Sequence, residues 1–354
     1  MDATLVTSGG YDDNILFNRV DPVSDYLFRA KPSLEATLSS EKSEIGMYGY
    51  VEFLRYLKEK DLDVENYRYE ISGMHQYSPR FSMEGTGFFL KDTTLDSELE
   101  ETGRVVAREN REQISGSAAA SYLLNPVSRA GLDYTFTKTD YDSRQWVSRE
   151  THSFDFNYER WFNERVDALL VLPTINTTTT EEDKKIDYYR LSLGWTHAFS
   201  QTLRVRNVLG YGFTRISGQG ENSETQAGNA NLSLTQSSET LRLVLGLTSD
   251  ARVDARGDLY EVDRVFMNLR KKVSERFSLL LYGSYYITRP LDIYDKIDRS
   301  YYVVKPALTY NITPTHAIIL SYKHEKEHDQ TLSENRDRER NILELLLDLN
   351  FIGF

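Results

Sequence analysis

Residues 186–214 read IDYYRLSLGWTHAFSQTLRVRNVLGYGFT, and their alternation decides the fold. Large apolar side chains occupy nearly every second position of 189–195 and 203–213, with small, polar or basic residues between them. A period of two with one apolar face is the pattern of a β-strand covered on one side. Ser200-Gln201 separates the two runs, so this stretch predicts an antiparallel hairpin.

The same hairpin recurs along the whole chain. Short turns recur mostly at intervals of about 35–40 residues, a period that indicates a repeated supersecondary unit. They fall at Ser40-Glu41, Ser78-Pro79, Asn125-Pro126, Phe162-Asn163, Ser200-Gln201, Ser237-Ser238, Glu275-Arg276 and Thr313-Pro314. Counting two strands per unit predicts about eighteen strands, among them one at 165–176, with sixteen as the alternative. No linker divides the 354 residues, so we expect one domain over 1–354.

The face opposite the apolar one is charged, and this decides which side of the sheet meets water. In a soluble barrel the apolar rows would point inward, but here the other rows carry ionised groups among Gly, Ser and Thr. We therefore predict that these rows line a wet lumen and that the apolar rows face lipid. The predicted lumen-lining residues are Arg29, Lys31, Glu35, Glu70, Glu84, Asp133, Asp155, Glu159, Arg190, Arg204, Arg206, Arg242, Lys305 and Lys323.

A sheet of this many strands is expected to close on itself. A long antiparallel sheet leaves two exposed edges, and closing it into a barrel removes both. An even strand number places both termini on one side, with the short turns. The longer, polar connections, such as 93–110, 177–183 and 217–222, then lie on the other side. The prediction is an all-β, transmembrane, antiparallel up-and-down barrel in the bacterial outer membrane, with short periplasmic turns and longer extracellular loops.

Composition narrows the function classes. The net charge of −12 disfavours nucleic acid as a partner, because phosphates would be repelled. The chain has no cysteine, which excludes disulfides, thiolate metal sites and cysteine nucleophiles. Its 24 tyrosines and 16 phenylalanines agree with aromatic belts at two membrane interfaces, although both residues also favour ordinary strands. No signal peptide follows Met1, so an exported barrel would be represented here by its mature form.

The last strand has a terminal aromatic residue. Leu343, Leu345, Leu347, Leu349 and Phe351 form one apolar stripe, and the chain ends at Phe354. This resembles the C-terminal strand that the outer-membrane insertion machinery reads. Phe354 is out of phase with the stripe, and a bulge at Gly353 would restore the phase.

The N-terminal segment carries a family resemblance. It reads Gly10-Tyr11-Asp12-Asp13-Asn14-Ile15-Leu16-Phe17, followed by Ser24-Asp25-Tyr26 and Arg29-Ala30-Lys31-Pro32-Ser33-Leu34. It is similar to the opening of the beta-barrel porin 2 family, whose members are often encoded beside exopolysaccharide and exosortase genes. The resemblance implies an outer-membrane barrel in a Gram-negative bacterium with a role in exopolysaccharide export, and it supplies no catalytic residues. Physically, the Asp and Asn side chains at 12–14 predict Asx turns, with a Ca²⁺ site as the alternative.

His324-Glu325-Lys326-Glu327-His328 is a literal H-E-x-x-H pattern. On a helix both histidines would reach one zinc ion, but on a strand residues i and i+4 stand roughly 13 Å apart. Ile318, Leu320 and Tyr322 continue into the pattern in phase, so a strand end reaching into water is expected. We predict no catalytic site, no metal and no cofactor.

Loop 93–110 is the longest connection and carries Asp96, Glu98, Glu100, Glu101, Arg104 and Arg108. Two interpretations stay open: a solvated extracellular loop, or a loop that folds inward and narrows the lumen. The charged loop 329–340 has the same two interpretations. Arg190, Arg204, Arg206 and Arg242, on neighbouring strands, predict a basic ladder, although any wet lumen needs paired charges. Inward tyrosines such as Tyr188, Tyr282, Tyr286 and Tyr301 would suit stacking on sugar rings.

Eighteen strands leave room for an aqueous channel. The leading expectation is a porin-like protein that is no enzyme and passes polar solutes, or an exopolysaccharide chain, across the outer membrane. The alternative is a non-conducting barrel, a sheath or anchor for a periplasmic or extracellular partner of an export or electron-transfer complex. Outer-membrane lipid is a partner in either case.

Overall fold

A computed structural model of the chain describes residues 1–103, 107–143, 146–162, 168–218, 221–291, 299–329 and 337–352. It contains eighteen β-strands, one α-helix and one turn of 3₁₀-helix at Lys60–Leu62. The strands are β1 (Asp2–Asp12), β2 (Asp25–Ser39), β3 (Ser43–Tyr56), β4 (Val64–Ser78), β5 (Phe81–Thr93), β6 (Asn110–Asn125), β7 (Ser128–Tyr141), β8 (Arg149–Trp161), β9 (Ala168–Thr180), β10 (Lys185–Ala198), β11 (Leu203–Gly218), β12 (Glu221–Ser237), β13 (Leu241–Val253), β14 (Leu259–Lys272), β15 (Phe277–Pro290), β16 (Arg299–Asn311), β17 (His316–Asp329) and β18 (Arg338–Ile352). Helix α1 (Thr94–Thr102) lies between β5 and β6.

The strands form one closed antiparallel ring. Each strand pairs with its neighbours in the chain, and β1 pairs with β18 from Asp2↔Ile352 to Asp12↔Ile342. The predicted closed barrel and its strand number are therefore confirmed. Closure leaves no unpaired sheet edge, which is the condition for spanning a lipid bilayer with strands.

The two faces of the ring differ as the alternation predicts. On β10, Leu191 and Leu193 point outward and remain 54% and 56% exposed, although they are large and apolar. Between them Arg190 and Ser192 point inward, and Ser192 is buried. Because the exposed leucine and aromatic rows surround the ring, they form a lipid-facing belt, which places the protein in the bacterial outer membrane.

Every predicted turn whose residues are described joins the two strands expected to flank it. The largest difference is at β9, which runs from Ala168 to Thr180 where a strand at 165–176 and a loop at 177–183 were predicted. Thr178 and Thr180 extend the ladder because their inward hydroxyls are buried, and Thr178 bonds Thr151 of β8 at 3.0 Å. The predicted loop 217–222 is also shorter, since β11 continues to Gly218 and β12 starts at Glu221.

Strand β18 carries the predicted apolar stripe outward, and Leu343 and Leu345 are 51% and 57% exposed. Gly353 and Phe354, with the expected bulge, lie outside the described residues. In the part of the chain that the structure describes, no helix has the length and apolar character to cross a bilayer.

Candidate functional site

Helix α1 lies inside the barrel. It begins at the end of β5, yet its last residues contact β13, β15 and β16. In a ring of eighteen strands, β14 stands nine strands from β5 and therefore directly opposite it. The helix thus crosses the bore from β5 to the far wall.

Three groups of the far wall bind the C-terminal end of α1. The Tyr286 hydroxyl donates to the Glu100 carbonyl at 2.7 Å, and the Thr288 hydroxyl donates to the Thr102 carbonyl at 2.8 Å. The Arg252 guanidinium donates to the Glu101 carbonyl at 2.9 Å. These carbonyls are the ones a helix leaves unpaired and carry its negative dipole end, so hydroxyl and guanidinium donors stabilise the docked helix.

An apolar cluster packs beneath the helix. Leu95 and Leu99 of α1 meet Phe17 from the β1–β2 loop, and both segments pack on Tyr286 and Tyr301 of the wall, all at most 2% exposed. Tyr286 and Tyr301 were predicted as candidates for stacking on sugar rings. In the structure they are covered by protein, so they position α1 and offer no surface to a solute.

The N-terminal motif fixes the β1–β2 loop against the wall. Asp12 accepts the backbone N–H of Asn14 at 3.0 Å, which forms the predicted Asx turn. Asp12 also forms an ion pair with Arg340, and the Asn14 amide donates to the carbonyls of Asn18 and Glu339 at 2.8 Å each. The described residues include no group of three or more His, Cys, Asp or Glu side chains placed to hold a metal ion, so the Ca²⁺ alternative gains no support.

The H-E-x-x-H segment is a strand, as predicted, but its glutamates are not in water. The His324 and His328 side chains lie on the outer face at the loop-side rim, while Glu325 and Glu327 point inward and are fully buried. Glu325 accepts the Tyr301 hydroxyl at 2.6 Å and pairs with Lys323 at 2.7 Å. The β1–β2 loop and the α1 segment fold inward and shield these carboxylates from solvent. The sequence pattern alone does not indicate this burial.

Three of the predicted charged residues of loop 93–110 have partners on the barrel wall. Glu100 pairs with Lys305 of β16, and Glu101 pairs with Arg111 of β6 at 3.3 Å. Glu98 is fully buried and accepts the Tyr141 hydroxyl at 2.9 Å. The remaining members of the predicted set are Asp96, which reaches a water-accessible cavity, Arg108, which lies over the Tyr56 ring, and Arg104, which lies outside the described residues.

The pKa values of two carboxyl groups of α1 are shifted in opposite directions. Burial raises the pKa of Glu98, and Arg149 and the Tyr141 hydroxyl offset only part of that effect. Burial also acts on Asp96, but the Thr93 hydroxyl, donating at 2.7 Å, and Arg108 outweigh it, so the pKa of Asp96 is lowered. Protonation of Glu98 on acidification therefore stabilises the docked helix. Protonation of Asp96 destabilises it, but this occurs only at lower pH.

Mild acidification should consequently strengthen docking of α1. As the pH falls through the raised pKa of Glu98 towards its ordinary value, the cost of burying a charge is removed, by about tenfold in the docking equilibrium per pKa unit. Single-channel current through the wild type should fall as the pH is lowered towards the ordinary pKa of a glutamate, whereas Glu98→Gln should show the lower current throughout. An unchanged pH response in Glu98→Gln would contradict this assignment.

Two polar cavities remain beside the helix. One of about 430 Å³ lies against β2–β5 and β17–β18, and Arg29, Arg68, Asp96 and Lys323 are among its lining residues. The other, of about 850 Å³, is bordered by β7–β13. There Arg190 pairs with Asp250 at 3.0 Å. These cavities are the wet space that the docked helix leaves in the bore.

The charges of the bore are unevenly distributed. Strands β10–β14 direct seven arginines inward, and Asp250 is the one inward carboxylate among their described side chains. Arg204, Arg206 and Arg242 are exposed to the bore and have no acidic partner among the described residues. The basic side consists of Arg190, Arg204, Arg206, Arg242, Arg252, Arg264 and Arg270.

The opposite wall is richer in acids. Cross-strand register puts Glu35 beside Tyr48, Glu70 beside Phe88, and Glu84 beside Ala119, all on the inward face. The structure places all fourteen of the predicted lumen residues on the inward face. Those of the opposite wall, β1–β5, are Arg29, Lys31, Glu35, Glu70 and Glu84. Between the two walls lie Asp133, Asp155 and Glu159 on β7 and β8, and Lys305 and Lys323 on β16 and β17.

Solved structures with the same architecture were found for almost the entire chain. OccK2 (OpdF) of Pseudomonas aeruginosa matches with a TM-score of 0.53, 11% identity and coverage of 99% of this chain and 98% of that one. The fold is that of an outer-membrane porin. OccK9 (OpdG) matches equally well, with a TM-score of 0.53, 11% identity and coverage of 99% and 98%. OpdK with vanillate gives 0.51, 10% identity and coverage of 99% and 98%.

At these identities the likeness shows the porin fold alone. None of the solved structures named above is an enzyme. OccK2 has also been solved in complex with glucuronate, in a structure with a TM-score of 0.52 to this chain. The sequence matches no family model and no curated protein. The resemblance of residues 10–34 to the beta-barrel porin 2 family therefore stays a prediction.

Proposed function

We propose that this protein is a porin-like channel that passes small polar solutes across the outer membrane. The observation that carries the proposal is the bore itself: charged side chains line wet cavities on both sides of an inward helix, inside a barrel with an apolar exterior. A packed structural barrel would instead fill its interior with apolar side chains.

The uneven charge indicates which solutes the channel favours. Unpaired arginines on β11 and β13 attract anions, and the acid-rich opposite wall completes a transverse field that orients dipolar solutes. The ligands in the two similar porin complexes, glucuronate and vanillate, are both carboxylates, which supports small organic anions as candidates here. No comparison supports an exopolysaccharide cargo, and α1 across the bore opposes the passage of a bulky polymer.

Charge reversal on β11 tests this proposal. Arg204→Glu/Arg206→Glu should shift the reversal potential in a KCl gradient towards cation selectivity, because two unpaired cations of the basic side become anions. Lys185→Glu is the matched control, since Lys185 lies on β10 with its side chain on the outer face.

A reversal potential that moves equally in both variants would exclude the basic side as the selectivity element. A wild-type barrel that carries no current and retains a second protein through purification would favour the sheath or anchor alternative.

A further inference from the structure

The outer face changes character along each strand in a fixed order. On β10, Lys185 and Asp187 come first at the loop-side end, then Leu191 and Leu193, and then aromatic side chains including Trp195 at the turn side. The middle segment lies in the hydrocarbon of the bilayer. The two ends therefore meet the two headgroup layers, and they are chemically different.

Outward ion pairs surround the loop-side rim, within five residues of the loop-side end of their strands or directly beside it. We call them the charged girdle. Its pairs are Arg55–Glu65, Lys91–Glu112 (3.0 Å), Lys138–Asp140 (3.4 Å), Lys185–Asp187 (3.0 Å), Arg215–Glu224 (3.1 Å), Arg289 with Glu261 (3.4 Å) and Asp263 (2.9 Å), and Lys326–Asp337 (2.6 Å). They are distributed over strands from β3 to β18, so the girdle extends around most of the circumference.

Among the residues that the structure describes, the turn-side rim has no such girdle. Its outward residues are mainly aromatic or aliphatic, including Phe162, Phe199 and Phe277, which are 61%, 61% and 42% exposed. Arg160 and Lys271 are its outward strand cations, and the described strand residues of this rim direct no carboxylate outward. Aromatic rings with few charges suit a phospholipid interface.

Barrel stability does not explain the girdle. Its pairs are solvent-exposed, with the Arg215 and Glu224 side chains 58% and 56% accessible, and exposed ion pairs contribute little to folding. A purely solvated rim would also be free to carry charges at either end. Their restriction to the loop side indicates a layer there that binds both signs of charge.

We propose that the charged girdle binds the phosphorylated glycolipid of the outer leaflet. Its Lys and Arg side chains pair with phosphate groups directly, as ammonium and guanidinium groups do with phosphate oxygens. Its carboxylates share the divalent cations that bridge neighbouring phosphates, because such cations prefer oxygen ligands. Each ion pair then exchanges one partner for a lipid group, and the barrel is sealed into the headgroup layer around its circumference.

Native mass spectrometry on the full barrel, loaded with bis-phosphorylated lipid A and Mg²⁺, tests the proposal. Lys185→Gln/Arg215→Gln should retain less lipid A than the wild type, by about fivefold per cation removed. The matched control Arg160→Gln/Lys271→Gln removes two outward cations from the other rim and should retain lipid A normally. Dephosphorylated lipid A should be lost from the wild type, and EDTA should reduce binding of the phosphorylated form.

Equal loss in both double variants, or equal retention of phosphorylated and dephosphorylated lipid A, would overturn the proposal. Heat-modifiable migration in gels reports folding of each variant independently of lipid binding. A folded loop-side variant that keeps lipid A would therefore count against the girdle.

Discussion

Replacing Gly103 by alanine should displace α1 and raise the single-channel conductance several-fold. Gly103 ends the helix with a φ of +69°, a conformation that costs a residue with a Cβ roughly 1–2 kcal/mol. An added Cβ would also lie 2.5 Å from the Cβ of Tyr286, the residue whose hydroxyl binds the Glu100 carbonyl. Because this contact is at the docking surface, the helix cannot keep both its C-terminal turn and its position.

Gly257→Ala is the matched control. Gly257 has a φ of +76°, but a Cβ there would meet Thr180 at an ordinary 3.5 Å, in a loop away from α1. It therefore carries the backbone strain without the clash, and its conductance should equal that of the wild type. Equal conductance of Gly103→Ala and the wild type would show that α1 does not restrict the bore.

Removing Arg340 should destabilise the barrel more than any exposed substitution. Its guanidinium donates to both carboxylate oxygens of Asp12 and lies 3.8 Å from Glu325, and both of these residues are fully buried. Leaving buried charges without their partner typically costs about 3–5 kcal/mol. Arg340→Ala should lower the free energy of unfolding in urea by about that amount.

Arg215→Ala provides the comparison, since the Arg215–Glu224 pair is exposed and worth at most about 1 kcal/mol. The double variant Asp12→Ala/Arg340→Ala should lose less free energy of unfolding than the sum of the two single variants. In the double variant neither charge of this pair is left buried without its partner. Equal losses for Arg340→Ala and Arg215→Ala would mean that the Asp12 cluster does not fix the N-terminal loop.

The sequence predicts most of the barrel because a membrane strand must satisfy a simple rule. Most positions of the lipid-facing band, such as Leu191 or Leu345, are apolar, and the pleat then fixes the face of the residues between. The ends of the strands are less strictly determined by this rule. Thr177–Thr180 looked like a loop because four threonines carry no alternation, yet two of them face a polar interior where threonine is suited to a strand.

The content of the bore was harder to predict. Thr93 and Asp96 resemble a helix start, and Leu95 and Leu99 stand at helical spacing, which could have indicated α1 within the loop. Nothing in a single sequence indicates that Phe17 meets those leucines or that Tyr286 and Tyr301 are covered by them. These contacts join segments far apart in the chain and depend on which loop folds inward.

Modification of single cysteines tests most directly the claim that the charged face lines an aqueous conducting path. The chain has no cysteine, so Arg206→Cys and Val205→Cys each create one unique thiol on adjacent, oppositely directed positions of β11. A charged, water-soluble thiol reagent should reduce the single-channel current of Arg206→Cys in a planar bilayer and leave that of Val205→Cys unchanged. Reaction at Val205→Cys alone, or the absence of current from either folded barrel, would contradict the account.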